Sequence, residues 1–167
     1  MKNSISTIVF CALFFSGTAK AQDYKFHSLF VYNFTKYIQW PESAQSGDFV
    51  IGVFGNSAIT SELEKLVANK TVGAQKIVVR KVHSIAEADK LQILFIPQNK
   101  SKEFDAIQQS LKGKPVLLVT EKDGFGKKGS GINFVILDGK MRFELNLAAT
   151  QMAGLKVSSQ LSSLAML

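Results

Sequence analysis

The residues that could do chemistry in this sequence are few and far apart. His27 and His83 are the two imidazoles available as general bases. Serines are common, but none sits in G-x-S-x-G. No carboxylate stands at a recognisable spacing to orient either histidine, so no Ser-His-acid relay is written locally. His27 falls on the polar side of an amphipathic segment and His83 at a strand end, both positions of surface residues. Two isolated histidines and scattered carboxylates form no ligand motif, so no metal and no cofactor are expected. One match asks for a test of context. Gly124-Phe125-Gly126-Lys127-Lys128-Gly129 fits G-x-G-x-x-G and follows a predicted strand. A dinucleotide site needs a helix to open at these glycines, so that its N–H groups meet the pyrophosphate. Here Ser130-Gly131 runs into Ile132-Asn133-Phe134-Val135-Ile136, a strand pattern, and the glycines read as a mobile surface loop that tolerates positive φ. Arg142, Glu144 and Asn146 alternate along a strand and so share one side. They read as a structural polar face joining sheet to helix. An enzyme is not expected.

The elements that must position these residues follow from hydrophobic spacing. Phe26, Leu29, Phe30, Phe34, Tyr37 and Ile38 recur at three and four residues, predicting a helix over 24–39 that Pro41 ends. Continuous apolar or β-branched runs at 49–54, 76–82, 91–96 and 116–120 predict buried strands. Helices are expected between them over 58–68, 84–89 and 101–111, with Asn56 or Ser57 capping the first. Strands alternating with helices indicate parallel pairing. The segments 132–137 and 141–145 flank Asp138-Gly139-Lys140, and Asp-Gly favours a tight hairpin turn. Gly154 and Ser158 or Ser159 then divide the remainder into two short helices. The fold class is therefore α/β: one three-layer domain over 22–167, its mostly parallel sheet flanked by helices, with an antiparallel C-terminal hairpin at one edge. In such sheets a ligand crevice lies beyond the carboxyl ends of the strands. Gly55, Asn56, Ser57, Pro97 and Gln98 would line it.

Aromatic residues crowd the start of this domain. Tyr24, Phe26, Phe30, Tyr32, Phe34, Tyr37 and Trp40 all fall within 24–40. The stretch reads either as a wide core helix or as a partner surface with Tyr32 as anchor.

The N-terminus bounds the compartment. Lys2, the apolar run Ile8–Phe15 and Ala19-Lys20-Ala21 are the three parts of a secretory signal peptide over 1–21. The run is too short to cross a bilayer, which takes about 20 residues in a helix, so direct membrane insertion is not expected. Cleavage after Ala21 would leave 146 residues. It would remove Lys2, Lys20 and Cys11, the only cysteine, and lower the net charge from +7 to +5. The remaining lysines are scattered, which argues against nucleic acid. A mature chain without thiols has no disulfide, cysteine nucleophile or thiolate metal site.

The aromatic stretch also carries a resemblance. Phe30-Val31-Tyr32-Asn33-Phe34-Thr35-Lys36-Tyr37-Ile38-Gln39-Trp40-Pro41 resembles the opening motif of the YfiR family of periplasmic proteins. Ile51-Gly52-Val53-Phe54-Gly55, Ile93-Leu94-Phe95-Ile96, the stretch from Gly131 to Asn146 and the tail Ala153-Gly154-Leu155-Lys156-Val157-Ser158-Ser159-Gln160-Leu161 follow in the family's order. The resemblance implies a non-enzymatic periplasmic regulator, commonly a homodimer. It implies binding to the periplasmic region of a membrane signalling protein, a diguanylate cyclase of the YfiN type or a sensor kinase, which it holds inactive. Release would raise cyclic di-GMP and favour biofilm. The paired cysteines of the best-known branch have no counterpart here, so disulfide redox control does not transfer. Phe30, Tyr32, Phe34 and Trp40 are the expected partner-binding residues. The alternative is a periplasmic small-ligand-binding domain using the strand-end crevice.

Overall fold

The computed structural model describes residues 24–166. The expected signal peptide lies outside them. Helix α1 (Lys25–Tyr37) leads into β1 (Ile38–Gln39) and, after a 3-10 turn, β2 (Phe49–Phe54). Then come α2 (Ile59–Val67), β3 (Thr71–Val72), β4 (Gln75–Val82), β5 (Ile93–Ile96), α3 (Phe104–Ser110), β6 (Leu117–Thr120) and α4 (Phe125–Lys128). The hairpin strands β7 (Ile132–Leu137) and β8 (Lys140–Leu145) precede α5 (Leu147–Met152), β9 (Lys156–Val157) and α6 (Ser159–Leu164).

The main sheet has seven strands in the order β3-β4-β2-β5-β6-β7-β8. The five inner strands are parallel neighbours, and an antiparallel strand closes each edge. The C-terminal hairpin was expected. Its Asp138 and Gly139 both take positive φ, 50° and 70°, as a two-residue turn of the primed type requires. The opposite edge, β3, was not expected; two residues are too few to show an alternation. The fold is mixed α/β, with helices on both faces.

Strand alternation builds two cores. Phe49, Ile51, Val53, Ile93, Phe95, Leu117, Val119, Ile132 and Phe134 point to the face covered by α1 and α2. Val50, Phe54, Leu94, Ile96 and Leu118 point to the other, against Phe104, Ile107 and Leu111 around α3. Because both faces are covered, the central strands β2 and β5 are buried and carry no polar side chain.

Helix α1 stops at Tyr37, earlier than the proline implied. Ile38 is already extended (φ −119°, ψ 134°), and it pairs with Val157 while Gln39 pairs with Lys156. The β1–β9 ribbon therefore ends the helix, and Pro41 merely follows. The connection expected as a helix at 84–89 is a 3-10 turn throughout, Ile85–Lys90, and the one at 101–111 is entered through a 3-10 turn, Gln98–Glu103, before α3. At α2 neither Asn56 nor Ser57 serves as the cap. Ala58 takes that position, and the Ser57 hydroxyl makes only a long 3.5 Å approach to the Ile59 N–H.

Candidate functional site

The strongest polar cluster joins the start of α1 to the carboxyl ends of β5 and β6. Glu121 directly follows β6, and Gln98 lies two residues beyond β5. The Glu121 carboxylate accepts the Tyr24 hydroxyl at 3.0 Å and the Gln98 N–H at 2.9 Å, and its other oxygen lies 3.6 Å from His27 Nε2. The side chains of His27 and Glu121 are only 6% and 4% exposed, so water contributes little to their interaction. This corrects the surface placement of His27. Its ring sits 4.8 Å from Phe134 and 5.1 Å from Tyr24, inside the α1–sheet seam. A distant carboxylate makes the buried imidazole tolerable there.

The electrostatics of Tyr24 follow from this setting. Burial pushes its hydroxyl from the ordinary 10.0 up to about 12, and the neighbouring Glu121 charge adds to the rise, while a hydrogen bond with Ser57 opposes it. A phenol shifted this way stays a neutral donor at physiological pH. It is a poor general base there. The cluster works as a clamp that fastens the first turn of α1 across the strand ends.

Beside the clamp lies a groove of about 740 Å³ between α1 and the hairpin. Phe26, Phe30, Phe134, Ile136 and Met141 supply its apolar wall, and His27, Gln98, Glu121, Asp123 and Lys140 its polar lining. Phe26 is 63% and Ile136 67% exposed, with Leu29 at 44% extending the same helix face. Large apolar side chains this open, and this close together, are uncommon on a surface without a partner.

The expected site residues divide sharply. Of the partner candidates, Phe34 and Trp40 are core. Phe34 stacks on Phe134 and meets Phe143 edge-on. Trp40 packs edge-on against Phe49 and donates its indole N–H to the Gln92 carbonyl at 3.0 Å. Neither can reach a partner without unfolding this region. Phe30 is half-buried and lines the groove. Tyr32 is half-buried on another side, with Lys36 Nζ 4.5 Å and Lys70 Nζ 5.2 Å from its ring centre. Of the crevice candidates, only Gln98 lines the groove. Gly55 is buried beneath the Lys100 side chain, Ser57 turns to Tyr24, Pro97 is buried and Asn56 is exposed. The chain's own Tyr24 and Lys100 thus occupy the crevice beyond β2 and β5, and the open space lies two strands away.

The glycine-rich segment is also corrected. A helix does open at Gly124 (φ 82°), but α4 has four residues and closes at Gly129 (φ 108°). It is no loose loop. The Gly126 carbonyl accepts the Asn146 side-chain N–H at 2.9 Å, and the Lys128 carbonyl accepts that of Gln108 at 3.1 Å. The polar face on β8 explains the first of these bonds. Asn146 also caps α5 by accepting the Ala149 N–H. Glu144 accepts from Asn133, whose side-chain oxygen accepts the buried Thr120 hydroxyl at 2.7 Å. These residues join strands and helices, as their alternation suggested.

Sequence reasoning missed Phe26, Leu29, Ile136 and Met141 as surface groups, and missed Glu121 altogether. The Asp-Gly turn was the available signal for Ile136 and Met141: residues at a hairpin tip extend past the helix that covers the strands.

A mixed α/β domain with clamped strand ends and an open apolar groove is the class that these features define. Among the described residues no helix is long and apolar enough to cross a membrane. The chain belongs to the YfiR/HmsC-like family (DUF4154), whose model matches residues 24–166, from the first residue of the clamp to the end of the described chain. No individually curated protein matches it. Membership is consistent with a periplasmic regulatory protein.

Proposed function

We propose that the protein is an exported, non-catalytic signalling regulator. It docks on the periplasmic region of a membrane sensor, a diguanylate cyclase of the YfiN type or a sensor kinase, and holds it inactive. The observation that carries this reading is the exposed apolar surface of Phe26 and Ile136 at the groove, with Leu29 exposed one turn along the same helix. A regulator that binds only the inactive state stabilises that state by its differential affinity. Moving a receptor from 1:99 to 99:1 takes about 5.5 kcal/mol of such preference. Fully burying one large apolar side chain contributes roughly 1.5–3 kcal/mol, so three rim residues supply the right order.

The test pairs Phe26→Ser with Ile136→Ser and measures binding to the purified periplasmic region of the sensor together with thermal stability. Binding is expected to weaken at least about tenfold, with the melting temperature within about 2 °C of wild type because both side chains are already in water. Unchanged binding sinks the reading. Sedimentation of the same variant tests the homodimer that the family resemblance implies; a loss of dimer would assign the rim to self-association.

The groove volume supports a second reading, a small-ligand-binding domain, since drug-sized sites enclose roughly 300–1,000 Å³. It separates from the first by Ile136→Trp, which narrows the mouth of the groove: thermal stabilisation by a small ligand would fall, while docking on a protein would retain its apolar rim.

A further inference from the structure

We propose that the outer edge of β4 at Val79 and Lys81 takes up an extended acidic segment of a protein partner by strand addition. The inference goes beyond the groove, which lies toward the other end of the strand order, and it stands without it. Strand β3 covers only the start of this edge. Thr71 pairs with Lys76 and Val72 with Gln75, and the last bond runs from the Ile77 N–H to the Lys70 carbonyl at 3.0 Å. Just upstream Asn69, with φ 63°, carries the chain off the edge toward α2. The Ile77 N–H thus points outward, whereas the Val82 carbonyl points inward and accepts the Gly55 N–H at 2.8 Å. Backbone direction alternates along a strand, so Val79 and Lys81 present their N–H and C=O groups outward, as Ile77 does. Among the described residues nothing is hydrogen-bonded to them from that side. Arg80 and Lys81 stand on opposite faces of the sheet and both are exposed, so the elements covering each face stop short of this edge.

The side chains set the order of the added residues. An antiparallel segment continuing the line of β3 meets Lys81, Arg80, Val79 and Val78 in turn. Val78 and Val79 are half-buried, Val79 at the margin of the first core. Among the described residues neither Arg80 nor Lys81 has an ion-pair partner. Glu87, just past the strand, is engaged instead by the Ser84 hydroxyl at 2.8 Å and the His83 N–H at 3.4 Å. Two carboxylates followed by two β-branched apolar residues match this order, and each gains a cross-strand pair. A second copy fits worse. Outward groups pair with outward groups, so two β4 edges could be centred on Val79, Arg80 or Lys81. The first sets Lys81 onto Ile77, whose edge Lys70 already holds. The others set Arg80 against Arg80 or Lys81 against Lys81, like charge against like.

The probe is a capped octapeptide centred on glutamate–glutamate–valine–valine, added to the mature chain. One control replaces both glutamates by lysine. The other carries an N-methyl group on the first valine, whose N–H would donate to the Val79 carbonyl. Three results are expected: slowed hydrogen exchange at the Val79 and Lys81 N–H groups, binding at least about tenfold tighter for the glutamate than for the lysine peptide, and loss of binding on N-methylation. Arg80→Glu with Lys81→Glu should pass the preference to the lysine peptide, with the fold kept because both side chains are exposed. If that variant does not fold, Arg80→Gln with Lys81→Gln decides, and the preference must disappear. Equal binding of the two charged peptides, undiminished binding of the N-methylated one, or protection elsewhere than Val79 and Lys81 overturns the proposal. Phe26→Ser with Ile136→Ser should leave peptide binding unchanged; its loss there would assign the peptide to the groove and overturn strand addition at β4.

Discussion

Replacing Tyr24 by phenylalanine removes one hydroxyl and keeps the ring, with its contacts to His27 and, edge-on, to Phe95. What is lost is the donor 3.0 Å from Glu121. Hydrogen bonds to charged groups contribute roughly 1.5–3 kcal/mol, and Tyr24 is only half-buried, so about 1.5 kcal/mol is expected. The ionisation of Tyr24 sets an upper bound on what deprotonation removes, since burial first and the Glu121 charge second penalise the phenolate. A rise from 10.0 to about 12 corresponds to no more than about 2.7 kcal/mol, which solvent screening of a half-exposed group reduces to about 1–1.5 kcal/mol. In a domain of this size that is a melting shift of roughly 3–6 °C. The sign with pH follows from the direction of the shift. The folded value lies above the unfolded one, so the contribution is whole below pH 10 and is lost as pH rises toward 12. Denaturant titrations of wild type and Tyr24→Phe from pH 7 to 12 should therefore differ by a constant amount up to about pH 10 and converge by about pH 12. A cycle with Glu121→Gln should return a coupling of about 1 kcal/mol. Equal stability at pH 7, or a gap that persists unchanged at pH 12, would refute the clamp.

Three further substitutions test separate parts of the structure. Trp40→Phe keeps a ring against Phe49 but loses the indole bond to Gln92, and should cost about 1–3 kcal/mol by denaturant melting without a specific effect on partner binding. Asn146→Ala removes both the cap of α5 and the bond to Gly126, for a loss of about 1–2 kcal/mol in the same assay, and hydrogen exchange should quicken first at Ala149. Tyr32→Ala forfeits two exposed cation–π contacts and part of a ring, about 1–2 kcal/mol, and should weaken sensor binding less than Phe26→Ser does.

The long strands were legible because buried residues leave apolar or β-branched runs, and the hairpin because Asp138-Gly139 fits one turn type, whereas the two-residue strands β1, β3 and β9 were not. The caps at Ser158 and Gly154 were legible for the same local reason: Ser158 accepts the Leu161 N–H, and Gly154 takes φ 71°. What escaped depends on partners far along the chain. Tyr24 and Glu121 are 97 positions apart, and Trp40 and Gln92 are 52 apart. Nothing near His27 announces the carboxylate that makes its burial possible, so the helix pattern placed it in water. The aromatic stretch was read as either core or surface. It is divided residue by residue, Phe34 inward and Phe26 outward, because α1 overhangs the strands at its first turns only. The strand-end crevice was placed by a general rule of parallel sheets, which says where space opens and not whether the chain fills it.

The packing of α1 has a consequence for biogenesis. Its rings Phe30 and Phe34 rest on Phe134 and Phe143, and the strand that continues it pairs with β9. The first described helix, although it also packs on α2, therefore meets these aromatic supports only among later strands. Emerging from a ribosome or translocon, α1 must wait with its aromatic face uncovered until the C-terminal quarter arrives, a long-range closure that slows folding and invites chaperones. Premature collapse into the finished shape is barred by the order of the chain itself, a property that would suit the export proposed above.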